Sequence, residues 1–110
     1  MVLKDYQEVA LHYLWRINKG ASSRDVWMQV NEDLDGKRTI SRASIINFLN
    51  AMVDESVLNY TEITGKGGHR RIYSAAYDEA GFKQYVAKVV MNNLLRDFPD
   101  ETRKVLSEVK

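Results

Sequence analysis

ITGKGGHRRIY, residues 63–73, sets three glycines, a lysine, a histidine and two arginines between β-favouring residues. No acidic residue occurs from Ile63 to Tyr77. Strand-like composition lies on both sides, in VLNYTEIT (57–64) and RRIYSA (70–75), so GKGGH reads as the turn of a two-stranded hairpin. Glycine at such a tip lets the backbone take positive φ and approach a partner closely. Cations there suit phosphate or a narrow groove. The lysine is not part of a nucleotide-binding loop, because no Gly-Lys-Ser/Thr leads into a helix.

Upstream of the hairpin the apolar period is helical. Asp5 to Lys19 places Tyr6, Val9, Ala10, Tyr13, Leu14 and Ile17 on one face, with Gly20 as the expected stop. Leu11 and Trp15 lie off that face, as a second packing surface or as exposed residues. Ser22-Ser23 is the expected cap of a second helix, Arg24 to about Asp33, with Val26, Val30 and Leu34 inward. The loop DLDGKRT then leads to Ser41, the expected cap of a third helix, Arg42 to Glu55. Ile45, Ile46, Phe48, Leu49, Met52 and Val53 form its inner face. Ala43, Ser44, Asn47, Asn50 and Ala51 form an outer face that is small, polar and uncharged. A solvated face ordinarily carries Lys and Glu, whereas short amides suit close approach to a surface, and Asn can bond an adenine edge twice. Downstream, Asp78 to Asp97 reads as one helix, Phe98-Pro99 as its break, and Asp100 as the cap of a last helix to about Val109.

The chain has 110 residues, 45% of them apolar, which is enough for one core. It has no cysteine, so disulfides and thiolate chemistry are excluded. Net charge is +1, but it is segregated. Residues 36–53 hold Lys37, Arg38 and Arg42 and no acid; residues 63–77 hold Lys66, Arg70 and Arg71 and no acid. Those six cations leave the remainder of the chain net negative by five, a pattern that marks a surface for a polyanion. MVLKDYQEVA is polar and helix-like, not a secretory leader, and no apolar run approaches the ~20 residues of a membrane span. The expectation is a cytoplasmic protein without membrane contact.

Three helices, a hairpin and further helices make the order of a winged helix-turn-helix domain, with the third helix as the reading helix. The expected fold class is mainly α with a small β-hairpin (α+β): a winged helix-turn-helix domain over 1–77 and C-terminal dimerisation helices over 78–110. The two acid-free windows then fall at the entrance to the reading helix and in the wing. TISRASIINFLNAMVDESVLNYTE and VVMNNLLRDFPDETRKVLSEV resemble the reading helix and the C-terminal region of the penicillinase-repressor family (BlaI/MecI type) of prokaryotic regulators. GGHRRIY also resembles the PadR-type regulators. The first resemblance implies a dimeric repressor on an inverted-repeat operator, with Ser41, Arg42, Ala43, Ser44 and Asn47 against DNA. That family commonly has a basic residue where this chain has Ile46, and often Lys at Ala43, so fewer charges would read the bases. Copper sensing would need the cysteines the chain lacks.

The expected DNA-binding residues are Lys37, Arg38, Thr39, Ser41, Arg42, Ala43, Ser44, Asn47, Asn50, Lys66, His69, Arg70 and Arg71. One of the wing arginines can instead fold back on the hairpin. Self-association is expected through Phe82, Val86, Val89, Val90, Met91, Leu94, Leu95 and Phe98: Phe82, Tyr85, Val86 and Val89 make one stripe, but from Val89 to Leu95 the apolar positions spread too far around the helix for one buried stripe. The alternative is that the last helix folds back and covers them. Catalysis is not expected: His12 and His69 stand apart, Asp33 and Asp35 lack an acid-base partner, and the serines read as caps. No metal or cofactor is expected, and no effector is indicated. The partners expected are double-stranded DNA and a second copy. A winged helix that binds only protein is the alternative, since fold does not fix function.

Overall fold

The apolar spacing of the first half builds three helices around one core, in a computed structural model that describes residues 3–65 and 68–109. The order is α1 (Asp5–Ile17), β1 (Ala21–Ser22), α2 (Ser23–Leu34), α3 (Arg42–Asp54), β2 (Leu58–Gly65), β3 (Gly68–Ala75), α4 (Glu79–Asp97) and α5 (Pro99–Glu108). The fold is mainly helical with a small antiparallel sheet, ordered β1-β3-β2. The chain divides into two compact units, one ending at Glu79 and the other running from Ala80.

In the first unit, Tyr6, Ala10, Leu11 and Leu14 of α1 meet Val26 and Val30 of α2 and Ile45, Phe48, Leu49 and Met52 of α3 in the core. Each fully buried Leu or Ile removes enough apolar surface to favour folding by ~1.5–3 kcal/mol. Leu11 is wholly buried, which resolves the two readings of its position toward packing. Helix α1 ends before Lys19, because Asn18 takes the left-handed conformation (φ 51°) and its N–H bonds the Leu14 carbonyl. Gly20 is therefore not the stop. It is small for another reason: a Cβ there would run into the Ile72 side chain of β3.

Ser22 caps α2, accepting from the Asp25 N–H at 3.2 Å, while its own N–H reaches the Asp25 carboxylate at 3.4 Å. Ser22 also belongs to β1, opposite Ile72. Two residues are too few to show a period, so this strand was not legible in the sequence. Ser41 caps α3 as expected, accepting from the Ser44 N–H at 3.1 Å. At the far end, Ser56 sits at φ 63°, and the Val57 N–H returns to the Met52 carbonyl at 2.9 Å. That closes α3 without a glycine.

The loop between α2 and α3 is held by side chains. The Asn31 amide donates to the Ile40 carbonyl (3.1 Å) and accepts from the Ile40 N–H (2.8 Å), and the Trp27 indole N–H donates to the same carbonyl at 2.9 Å. The start of α3 is thereby fixed to α2, with Ile40 itself buried.

The hairpin is longer than its composition suggested. Pairing runs from Leu58↔Ala75 through Thr64↔His69 to Gly65↔Gly68. His69 is thus a strand residue, its Nδ1 3.2 Å from Thr64 Oγ1, and not part of a five-residue turn. Lys66 and Gly67 lie outside the described residues.

In the second unit, Pro99 is the first residue of α5, where its missing N–H costs nothing. Phe98, not Asp100, occupies the cap position. The Thr102 hydroxyl donates to the Leu94 carbonyl at 3.1 Å and its N–H to the Phe98 carbonyl at 2.9 Å. This corner leaves an apolar groove of about 260 Å³ lined by Met91, Leu94, Phe98, Thr102, Val105 and Leu106, with Glu101 at its edge. Phe98 is 56% exposed, and Val90 and Leu94 are also exposed. Helix α5 therefore does not cover the apolar surface of α4. Phe82 is a correction: it is buried within the chain and has no surface to offer a second copy. No helix among the described residues is long and apolar enough to cross a membrane.

Candidate nucleic-acid interface

Successive strand residues point to opposite faces, and residues directly opposite in an antiparallel pair share a face. The register puts Tyr60, Glu62, Arg71 and Tyr73 on one face of the wing, and Ile63, Arg70 and Ile72 on the other. The two adjacent arginines are thus separated by backbone geometry alone.

Arg70 opens into a groove of about 780 Å³ bounded by the start of α2, Arg42 at the start of α3, and the outer half of the wing. Its cations are Arg24, Arg42 and Arg70, all exposed, with His69 beside them and Ser23, Met28 and Ile63 completing the wall. None of the three arginines has an ion-pair partner among the described residues. Asp25 is the acid in the lining. Arg24 and Ser23 were missed in the sequence, because the acid-free windows begin twelve residues later. The signal available was positional: a helix start beside a reading helix lies near backbone phosphate, where its N–H groups and dipole favour anions.

Arg71 turns the other way. Its Cζ lies 4.0 Å from the centre of the Tyr60 ring, a cation–π contact, and its Nη1 donates to Asn50 Oδ1 at 3.1 Å. The Tyr73 hydroxyl donates to the same oxygen at 2.6 Å. Burial pushes the Tyr73 phenol above its usual pKa, against the opposing pull of Arg71. Asn50 is half-buried, and both lone pairs of its oxygen are taken, so it is not placed to read a base edge.

Arg38 is exposed but engaged within the chain. It lies 3.0 Å from the Asp5 carboxylate and leans over the Tyr6 ring, so the window that looks unneutralised along the chain is partly neutralised in space. Ser41 spends its hydroxyl on the cap, accepting from one Ser44 group and donating to the other. Lys37, Thr39, Arg42, Ala43 and Asn47 are exposed, and Ser44 is half-buried. The exposed side chains of α3 are therefore Arg42, Ala43 and Asn47, with Ala51 and Asp54 further along, and of these Arg42 lines the groove. Lys66 lies outside the described residues. Among them, no cluster of His, Asp or Glu could hold a metal ion.

No family model and no curated protein matches the chain. Solved structures do. A Thermoplasma acidophilum protein assigned as a transcriptional regulator superposes with TM-score 0.55 at 18% identity, over 96% of this chain and 94% of that one. A PadR-like transcriptional regulator of Bacillus cereus gives 0.51 at 19%, over 81% and 89%. A PadR family transcriptional regulator of Eggerthella lenta gives 0.50 at 13%, over 88% and 80%. These likenesses establish the winged-helix fold. All three neighbours are named as regulators and none as an enzyme.

Proposed function

We propose that this chain is a PadR-type transcriptional regulator that binds double-stranded DNA as a dimer, on an inverted-repeat operator, and represses. The observation that carries the reading is the groove: three arginines from three different elements, without ion-pair partners among the described residues, converge on a concavity at the start of α3, whose outer face bears small uncharged side chains from Ala43 to Ala51. Phosphate contacts from Arg24, Arg42 and Arg70 would hold the duplex, and Asn47 would read a base edge. Between the two resemblances in the sequence, the PadR one is favoured by the names of the structural neighbours, and the penicillinase-repressor one gains no such support.

Dimerisation is supported by the exposed apolar groove between α4 and α5. The division of labour follows the two units, the first carrying DNA binding and the second self-association. The test is selection of random duplex DNA by the purified chain, followed by anisotropy titration across salt. Three arginines per protomer make six phosphate contacts per dimer, so log K should fall with log salt at a slope of about −5. A flat salt response, or no selected sequence, refutes the proposal.

A further inference from the structure

We infer that Arg71, Asn50, Tyr60 and Tyr73 form a strut that sets the angle of the wing against the reading helix, so that Arg71 acts on DNA by positioning Arg70 and not by meeting phosphate. The inference rests on the DNA-binding reading. Asn50 joins α3 to β3 by hydrogen bonds through side chains, at 3.1 Å to Arg71 and 2.6 Å to Tyr73. Tyr60 lies on β2, directly opposite Tyr73, and carries the Arg71 guanidinium on its ring. Both wing strands are thereby tied to one residue of the reading helix. The outer half of the wing, from Thr61 to Gly65, is exposed and has no core of its own, so its direction is set at its base, where this tie adds to the β1–β3 pairing and to buried Leu58 and Tyr73.

The chemistry separates positioning from charge. Lysine keeps the cation of Arg71 but lacks the planar fork that stacks on Tyr60 while bonding Asn50. Asn50 carries no charge, so its loss leaves the phosphate contacts in number as they were. A phosphate role for Arg71 requires that Arg71→Lys bind nearly as the parent, and that Arg71→Ala flatten the salt slope. A strut requires the reverse.

The experiment takes the full chain and the variants Asn50→Ala, Tyr60→Leu, Arg71→Lys, Arg71→Ala and Arg70→Gln. Affinity for a selected duplex is measured across salt, and hydrogen exchange of the β2 and β3 amides is measured without DNA. The expected result is about a tenfold loss of affinity for each strut variant, including Arg71→Lys, at unchanged salt slope. Arg70→Gln should instead flatten the slope, by about 2 per dimer. The strut variants should also exchange their wing amides faster, and Arg70→Gln should not. Tyr60→Leu alters an exposed position and tests the strut even if Asn50→Ala folds poorly. Parent-like binding by Arg71→Lys together with a flattened slope for Arg71→Ala overturns the strut, as does unchanged exchange in Tyr60→Leu. If the parent chain selects no duplex, the DNA reading fails, and wing exchange still decides the strut.

Discussion

Asn31 illustrates how much one side chain can fix. Its amide satisfies both backbone groups of buried Ile40. Asn31→Ala should cost roughly 1–3 kcal/mol, the penalty for leaving a buried N–H unpaired, measured by urea unfolding. Ser56 works in the opposite direction. It holds a left-handed conformation that glycine adopts freely, so Ser56→Gly should stabilise the chain by about 0.5–1 kcal/mol in the same assay. Tyr73 gives the pH dependence. Its phenol pKa is raised above 10.0, so the folded state holds the proton more tightly than the unfolded chain does. Stability from this group is complete below that value and is lost as pH climbs through the folded pKa. Denaturant melts between neutral pH and strong alkali should show the decline, and Tyr73→Phe should flatten it.

At the scale of elements, the close approach of Gly20 to Ile72 is a packing constraint with a testable signature. Gly20→Ala should destabilise by about 1–3 kcal/mol through overpacking. Adding Ile72→Ala should recover part of that loss, because the obstructing methyl is gone; a thermal-melt cycle with strictly additive losses would contradict the contact. The same region shows what sequence reading reaches. Helices α2 and α3 were legible because their apolar periods and serine caps are local signals. The wing was legible from two strand-like runs around glycines. The direction of Arg71 was legible only as one of two options, since it depends on Asn50, twenty-one positions away. The pairing of Arg38 with Asp5 was hidden for the same reason: charge windows along a chain do not know which acid folds across to them. Asn18 defeated the glycine rule for α1 because asparagine also tolerates the left-handed region.

For the whole molecule, the expected outcome is a dimer through the second unit. The apolar groove between α4 and α5 and the exposed Phe98 are surface that a single chain leaves in water. Leu94→Asp with Leu106→Asp should shift the chain to monomer in sedimentation at micromolar concentration. The variant should retain the helical circular dichroism of the parent, and its affinity for a two-half-site duplex should fall toward that for a single half-site. A monomeric parent chain would remove the basis for a palindromic operator. The exposed apolar residues themselves were legible from the way they spread around α4. What was not legible was that α5 stops short of covering them, because that depends on the corner built by Pro99 and Thr102.

Asp25 carries a consequence for how this surface can change. Its carboxylate closes the cap of α2, and Asp25 is also among the residues that line the groove where Arg24, Arg42 and Arg70 gather. Under the proposed function, the acid that starts the helix would therefore repel the phosphate that Arg24 beside it would hold. Removing it as Asp25→Ala should tighten binding to any duplex, without regard to sequence. The cost should be a few tenths to about 1 kcal/mol of folding stability. Selection for tighter grip would wear away the fold first at α2, and selection for sturdiness would loosen the grip. At this position affinity and durability are alternatives, set against each other by one carboxylate.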